Sequence, residues 1–115
     1  MTLVDECIFC KIVSKEIPST LLREDEEVLA FRDINPAAPS HILVIPRKHI
    51  AKVSEAEPAD AELLGKLLLT AAELAKDEGL KGFRIVINNG AKAGQTVWHI
   101  HVHVLGGRPL RWPPG

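Results

Sequence analysis

Val97-Trp98-His99-Ile100-His101-Val102-His103-Val104-Leu105 decides how this chain folds. Three of the five histidines fall in this stretch, each two residues from the next. The residues between them are β-branched Ile and Val, which favour a pleated strand. Side chains at i, i+2 and i+4 of a strand point to one face, about 6.5–7 Å apart along it. His99, His101 and His103 are therefore expected on one face. Trp98, Ile100, Val102 and Val104 are expected on the other, in the core.

Three imidazoles in a row admit three readings. They form a metal site, since neutral imidazole is a common ligand. They perform nucleophilic and acid–base chemistry at phosphorus or carbonyl carbon. Or they are the solvated polar face of a half-buried strand. Strict alternation with apolar residues disfavours the last, because ionisable clusters on rigid elements mark functional sites. Metal and nucleophile stay open on these residues alone.

Outward from that stretch, the composition describes a single domain, residues 1–115. A chain of 115 residues buries about two-thirds of its unfolded surface. Charged residues at 25% and a net charge of −1 give no electrostatic footprint for nucleic acid or an acidic membrane. No apolar run approaches the roughly 20 residues of a membrane span. Asp5 and Glu6 precede Cys7 where a signal peptide would carry basic and then long apolar segments. The two cysteines, in a chain with no export signal, fit a reducing cytoplasm.

The remaining elements follow in order. Apolar positions between Cys7 and Ile17 are close to a helical period, ended by Pro18. Cys7-Ile8-Phe9-Cys10 is half of a zinc site, a redox pair, or two small buried residues. Leu21–Arg23 and Val28–Arg32 read as short strands joined by the acidic turn Glu24–Glu27. Asp33-Ile34-Asn35-Pro36 is a turn signal, with Asp33 a turn residue or an acceptor for paired hydroxyls. His41–Pro46 reads as a central strand, and Arg47-Lys48-His49 as solvated surface. Ser54-Glu55-Ala56-Glu57 matches a capping box, and a long helix is expected from Ala59 to Glu78 with Gly79 after it. Leu64, Leu67, Leu68, Ala71, Leu74 and Ala75 form its apolar stripe. Phe83–Ile87 is a further strand. The glycine-containing loop Asn88–Thr96 suits an anion or is an ordinary connection. Neither nucleotide-binding glycine fingerprint is present. Trp112 in a Pro-rich tail is too apolar to stand in water and is expected to dock. The sum is α+β: about five mostly antiparallel strands, one long helix and one short.

At His99-Ile-His101-Val-His103-Val104-Leu105 the chain resembles the histidine triad family, whose signature alternates three histidines with apolar residues. The resemblance extends over Ile8-Phe9-Cys10-Lys11-Ile12, Phe31-Arg32-Asp33-Ile34, Ile45-Pro46-Arg47-Lys48-His49-Ile50 and Gly94-Gln95-Thr96-Val97. The ending, Leu105-Gly106-Gly107-Arg108 with Trp112-Pro113-Pro114-Gly115, is similar to the nucleotide-binding, purine nucleoside phosphoramidase branch. The dinucleoside polyphosphate hydrolases of the family share the triad and Gly-Gln-Thr-Val but lack this ending.

The resemblance implies the histidine-triad fold, a two-fold homodimer, and cleavage of purine nucleoside phosphoramidates or acyl phosphates through a nucleotidylated histidine. A nucleotide-sensing interaction module with weak catalysis is the reading from another class. The implied nucleophile is His101, with His103 on the phosphoryl oxygens and His99 and His49 orienting and tuning it. Thr96 stands where a hydroxyl protonates the leaving amine. Asp33 would hold the ribose and Asn88 would lie beside the sugar–phosphate. Gly94, Gln95, Thr96 and Val97 would surround the phosphate. Ile8, Phe9, Ile12, Phe31 and Ile34 would wall the base pocket. No cofactor is required. Cys7 and Cys10 resemble a subset of the family with structural zinc, which implies Cys7, Cys10, His49 and His99 as its ligands. The Trp112 tail would lie near the partner's site. Arg111 departs from the histidine common at that position.

Overall fold

Val28 to Arg32 alternates between two cores, and that alternation organises the fold. In the computed structural model, which describes residues 6–115, Val28 and Ala30 face one apolar cluster while Leu29 and Phe31 face another. The strand is thus buried on both sides. Five strands make one sheet: β1 Leu21–Glu24, β2 Val28–Arg32, β3 Ser40–Pro46, β4 Phe83–Val86 and β5 Val102–Gly106. The order is β1-β2-β3-β5-β4, and every pairing is antiparallel. The β1–β2 turn is held by Asp25, whose Oδ1 accepts the N–H groups of Glu27 and Val28 at 2.8 and 2.9 Å.

The two helices cover opposite faces. The long one, α2 (Ala61–Asp77), packs Leu67, Ala71, Leu74 and Ala75 onto Val28, Ala30, Ile42, Val44, Val102 and Val104. The short one, α1 (Ile8–Val13), packs Phe9, Ile12 and Val13 onto Leu29, Phe31, Leu43 and Ile45. The fold is the five-stranded α+β arrangement expected from the sequence, with one long helix and one short. It has no helix, among the described residues, long and apolar enough to cross a membrane. The expectation of no export signal rests partly on Asp5, which lies outside the described residues.

Four expectations are corrected. The histidine strand starts at Val102, not Val97, because the chain bends at 97–99. The register explains this. Val44 pairs with Val102, so two residues farther on Pro46 would have to continue the ladder without an N–H. Trp98 consequently leaves the core: it is 44% exposed, with the Lys52 ammonium 5.9 Å from its ring centre. The capping box belongs to Glu57 and Asp60, whose Oδ2 accepts the Glu57 N–H at 2.9 Å. Pro58, fixed at the first helical position, makes the residue before it the cap. Ser54 pairs instead with Asn89. Finally, Leu68 lies outside the stripe, exposed beside Leu69, while Thr70 is buried.

Candidate active site

Four histidines gather on the α1 side of the sheet: His41 on β3, His103 on β5, and His99 and His101 in the segment before β5. His103 pairs with Leu43 across β3–β5, and Leu43 belongs to the α1 cluster. His41, two residues before Leu43, shares that face. Its Nε2 lies 2.9 Å from His103 Nδ1, and the His101 and His103 ring centres are 4.9 Å apart. His101 also meets the edge of Phe9, 5.1 Å between centres. His99 and His101 are buried, although both precede the paired part of β5. The backbone holds that segment otherwise: Ile100 N–H donates to Ile50 O at 2.7 Å.

Backbone groups decide which nitrogen of each ring carries the proton. A carbonyl only accepts and an N–H only donates, so each contact fixes a tautomer of the neutral ring. His99 Nε2 donates to Pro46 O at 2.8 Å, which leaves the lone pair on Nδ1. His101 Nδ1 donates to His99 O at 2.8 Å, which leaves the lone pair on Nε2. Ala37 N–H donates to His41 Nδ1 at 2.9 Å, so His41 Nε2 carries the proton and donates to His103 Nδ1. His103 must then carry its own proton on Nε2. That atom is buried with no partner. The result is an unprotonated nitrogen on His101 beside an unsatisfied N–H on His103.

The electrostatics keep these rings neutral. Burial pushes His103 down to about 4, reinforced by His101 and His41 and opposed by Asp33. Burial lowers His101 as well, against the bond to His99 O and the charge of Asp33. His41 is lowered by burial, with Asp33 opposing. His99 falls to about 4, mainly through burial.

Asp33 is a turn residue that also reaches the histidine group. Its Oδ1 accepts the Asn35 N–H at 2.8 Å, closing an Asx turn. Its Oδ2 lies 3.5 Å from His41 Nε2, at the edge of the histidine group. Ile34 next to it is 89% exposed and Ile8 is 46% exposed, whereas Phe9, Ile12 and Phe31 are buried beneath.

The loop before β5 is built around Gln95. Its Nε2 donates to Ala51 O at 2.7 Å and Val97 O at 3.0 Å, and its Oε1 accepts the Gly90 N–H at 2.8 Å. The N–H groups of Ala93, Gly94 and Gln95 also bond within the loop. Gly90 and Gly94 take φ of 100° and 94°, conformations that side-chain-bearing residues rarely adopt. The Gln95 amide is therefore fully engaged inside the protein, against the expectation that it faces phosphate. Asn88 sits against Gly94: a Cβ there would lie 3.9 Å from Asn88 Nδ2. Thr96 is exposed and lines a groove of about 330 Å³ with Cys7, Ile8, His49, Val97 and Trp98.

His49 meets the triad through His99. Its ring centre lies 5.1 Å from that of His99. His41, expected only as one residue of a strand, lies beside His103. Its signal was a lone polar residue heading an otherwise apolar run, on the same parity as Leu43 and Ile45.

His49 also joins the cysteines. Cys7 Sγ to His99 Nδ1 is 3.4 Å, Cys10 Sγ to His49 Nδ1 3.3 Å, Cys10 Sγ to His99 Nδ1 3.6 Å, and His49 Nδ1 to His99 Nδ1 3.3 Å. All four donor atoms lie within 4.8 Å of one another. Tetrahedral zinc with bonds of about 2.0–2.3 Å requires ligand–ligand edges of about 3.3–3.8 Å. The four separations fall on those edges, and His99 presents a lone pair to the centre. The donor set fits zinc. Asp33, His41 and His103 also converge, but His41 and His103 are hydrogen-bonded to each other rather than splayed about a common point.

Comparison with known proteins agrees with the fold. The HIT domain family model matches residues 14–110. A HIT-like protein of Synechocystis is 54% identical over 114 residues, covering 98% of this chain and 100% of its own length. The crystal structure of a HIT family hydrolase from Legionella pneumophila superimposes with a TM-score of 0.94 at 52% identity, covering 96% of this chain and 100% of that one. A histidine triad protein from Clostridium difficile gives 0.92 at 41% identity, covering 96% and 97%.

Proposed function

Since the chain belongs to the HIT domain family, we propose that it is a hydrolase of purine nucleoside phosphoramidates or acyl phosphates, acting through His101. The observation that carries this is a pair of adjacent rings, 4.9 Å between centres: His101 with its lone pair on Nε2, and His103 with a buried Nε2–H that has no partner. A tetrahedral or metaphosphate-like phosphoryl group needs both a nucleophile and a hydrogen-bond donor aimed at its oxygens.

In the proposed reaction His101 Nε2 attacks the α-phosphorus. A His101–phosphorus bond forms as the phosphorus–nitrogen bond breaks, and the leaving amine takes a proton from the Thr96 hydroxyl. Water then attacks the nucleotidylated histidine as the Thr96 oxygen takes back a proton from it, which releases the nucleoside monophosphate and restores both His101 and Thr96. His103 stabilises the charge developing on the phosphoryl oxygens. His41 keeps the His103 proton on the nitrogen that faces the substrate. Asp33 accepts from the ribose hydroxyls, and Asn88, Gly94 and Val97 lie along the sugar–phosphate. Gln95 shapes the loop that presents Thr96. The base lies against Ile8 and Ile34, over a floor of Phe9, Ile12 and Phe31. The Cys7, Cys10, His49 and His99 set would hold a structural zinc ion that fixes α1 to the segment before β5 and takes no part in bond making. The working unit is a homodimer in the cytoplasm, with the exposed Trp112 reaching the partner's site.

The test is a paired assay on an adenosine phosphoramidate and diadenosine triphosphate, with wild type and His101→Ala. The expected result is preference for the phosphoramidate and a loss of at least about 10³-fold in the variant, which still binds nucleoside monophosphate. Near-normal turnover by His101→Ala would remove the nucleophile. Preference for the dinucleotide would move the chain to the other branch of the family.

A further inference from the structure

His99 is held at three points, and one of them is the nucleophile's own anchor. Its Nε2–H is fixed on Pro46 O at 2.8 Å. Its Nδ1 faces Cys7, Cys10 and His49 at 3.3–3.6 Å. Its backbone oxygen receives the His101 Nδ1–H at 2.8 Å. A second path runs through α1. Cys7 caps that helix and Cys10 lies within it, while Phe9 between them sets its ring edge-on to both His101 and His99. Whatever clamps the two cysteines to His49 and His99 also clamps both structures that orient His101.

We propose that a zinc-class divalent cation held by Cys7, Cys10, His49 and His99 sets the tautomer and orientation of the His101 ring, so that metal occupancy governs whether the nucleophile is poised. The argument is geometric. Two thiols and two imidazole nitrogens that converge within 4.8 Å are held by weak S–H···N contacts alone, or far more tightly by a cation that binds all four. With the weak contacts alone, the His99 ring and α1 are freer to move apart. Only the carbon atoms of one residue separate that ring from the carbonyl that His101 uses. A hydrogen bond of this kind weakens steeply with misalignment. When it fails, the His101 proton is free to occupy Nε2, the attacking atom. Soft thiolates with imidazole favour zinc over calcium- or magnesium-like ions. His99 is in this sense a positioning residue that acts through His101.

The inference rests on the proposed function only for its catalytic consequence; its primary readout is independent of substrate. The experiment records the side-chain ¹⁵N spectrum of His101 in the full-length protein, zinc-loaded and after chelation, with circular dichroism to show the fold. The expected result is a single Nδ1–H tautomer with zinc, a mixture without it, and recovery on adding zinc back. The kcat on an adenosine phosphoramidate should fall about tenfold or more on chelation while KM changes little. Because the stripped protein could unfold, a second measurement keeps it loaded: replacing zinc by the larger cadmium ion should shift the His101 ¹⁵N resonances as well as those of His99 and His49. Unchanged His101 resonances under both treatments would overturn the proposal, as would failure to bind zinc at micromolar concentration. A tautomer change in a protein inactive on phosphoramidates in either state would sink the proposed function and leave this coupling standing.

Discussion

Replacing His41 isolates the relay that begins at a backbone N–H and ends on the substrate side of His103. The chain of bonds is Ala37 N–H to His41 Nδ1, 2.9 Å, then His41 Nε2–H to His103 Nδ1, 2.9 Å. His41→Leu removes both. Ala37 is exposed, so its N–H turns to water at little cost, whereas His103 Nδ1 loses its donor in a mostly buried position. The unsatisfied acceptor costs about 1–3 kcal/mol, partly offset by the added apolar side chain. A net loss of about 1 kcal/mol lowers Tm by roughly 5 °C in a domain of this size. The catalytic effect is separate. One hydrogen bond of about 1 kcal/mol biases the His103 tautomer about fivefold. Complete loss of a transition-state donor costs about 10²–10³-fold. The expected drop in kcat/KM lies between those limits, near tenfold to a hundredfold, most of it in kcat. His41→Gln retains an amide that donates to His103 Nδ1 and should recover most of the rate. The assay is steady-state hydrolysis of an adenosine phosphoramidate beside the ¹⁵N spectrum of His103. If His41→Leu hydrolyses within twofold of wild type and His103 keeps one tautomer, the relay is not what fixes the donor.

Two further outcomes are expected. Acidification should destabilise the protein between pH 6.5 and about 4, because His103 binds its proton more weakly folded than unfolded. The unfolded chain takes up more protons in that window, so the contribution is complete above about 6.5 and lost on descending to about 4. That gap corresponds to at most about 3 kcal/mol, to be read from urea unfolding across the window; stability that is flat or rises toward pH 4 would contradict the burial argument. Gln95→Leu removes three hydrogen bonds that hold the loop at Gly90, Ala51 and Val97. It should speed amide exchange at residues 90–96 and lower kcat through a misplaced Thr96, while an unchanged exchange pattern would show that the loop is held by other means.

The sequence made the sheet legible wherever one periodicity dominated. Val28–Arg32 and the His41–Pro46 run are buried on both faces, which shows as continuous apolar residues, and both strands lie where the pattern put them. The helix stripe was also legible, except that Leu68 carries the same hydrophobicity as Leu67 and only packing tells them apart. The start of β5 was not legible, because the local pattern from Val97 onward is uniformly strand-like. What ends the pairing is Pro46, on another strand and distant in sequence. The four-residue thiol–imidazole cluster followed from family resemblance, and its members do meet. The partnership of His41 with His103 was hidden for the same reason as the strand start: it depends on register between β3 and β5, and no local spacing reports register.

That register gives the alternating histidines a second meaning. Spacing by two was first an argument about sharing a face. In the folded chain it also brings the His101 ring onto the carbonyl of His99, so one histidine's backbone sets its neighbour's tautomer. A free imidazole divides its proton between two nitrogens and presents the wrong one part of the time. Here the deciding contacts are to Pro46 O, His99 O and Ala37 N–H, groups that neither titrate nor change rotamer. The side chains thus need no adjustment when substrate arrives, which is the condition for electrostatic preorganisation. Apart from His41, which carries the Ala37 N–H contact on to His103, substituting a neighbouring side chain perturbs such a site only if it moves one of those backbone groups. Ile100 is the residue best placed to do so. It is 2% exposed, and its N–H bond to Ile50 O pins the peptide between the two rings.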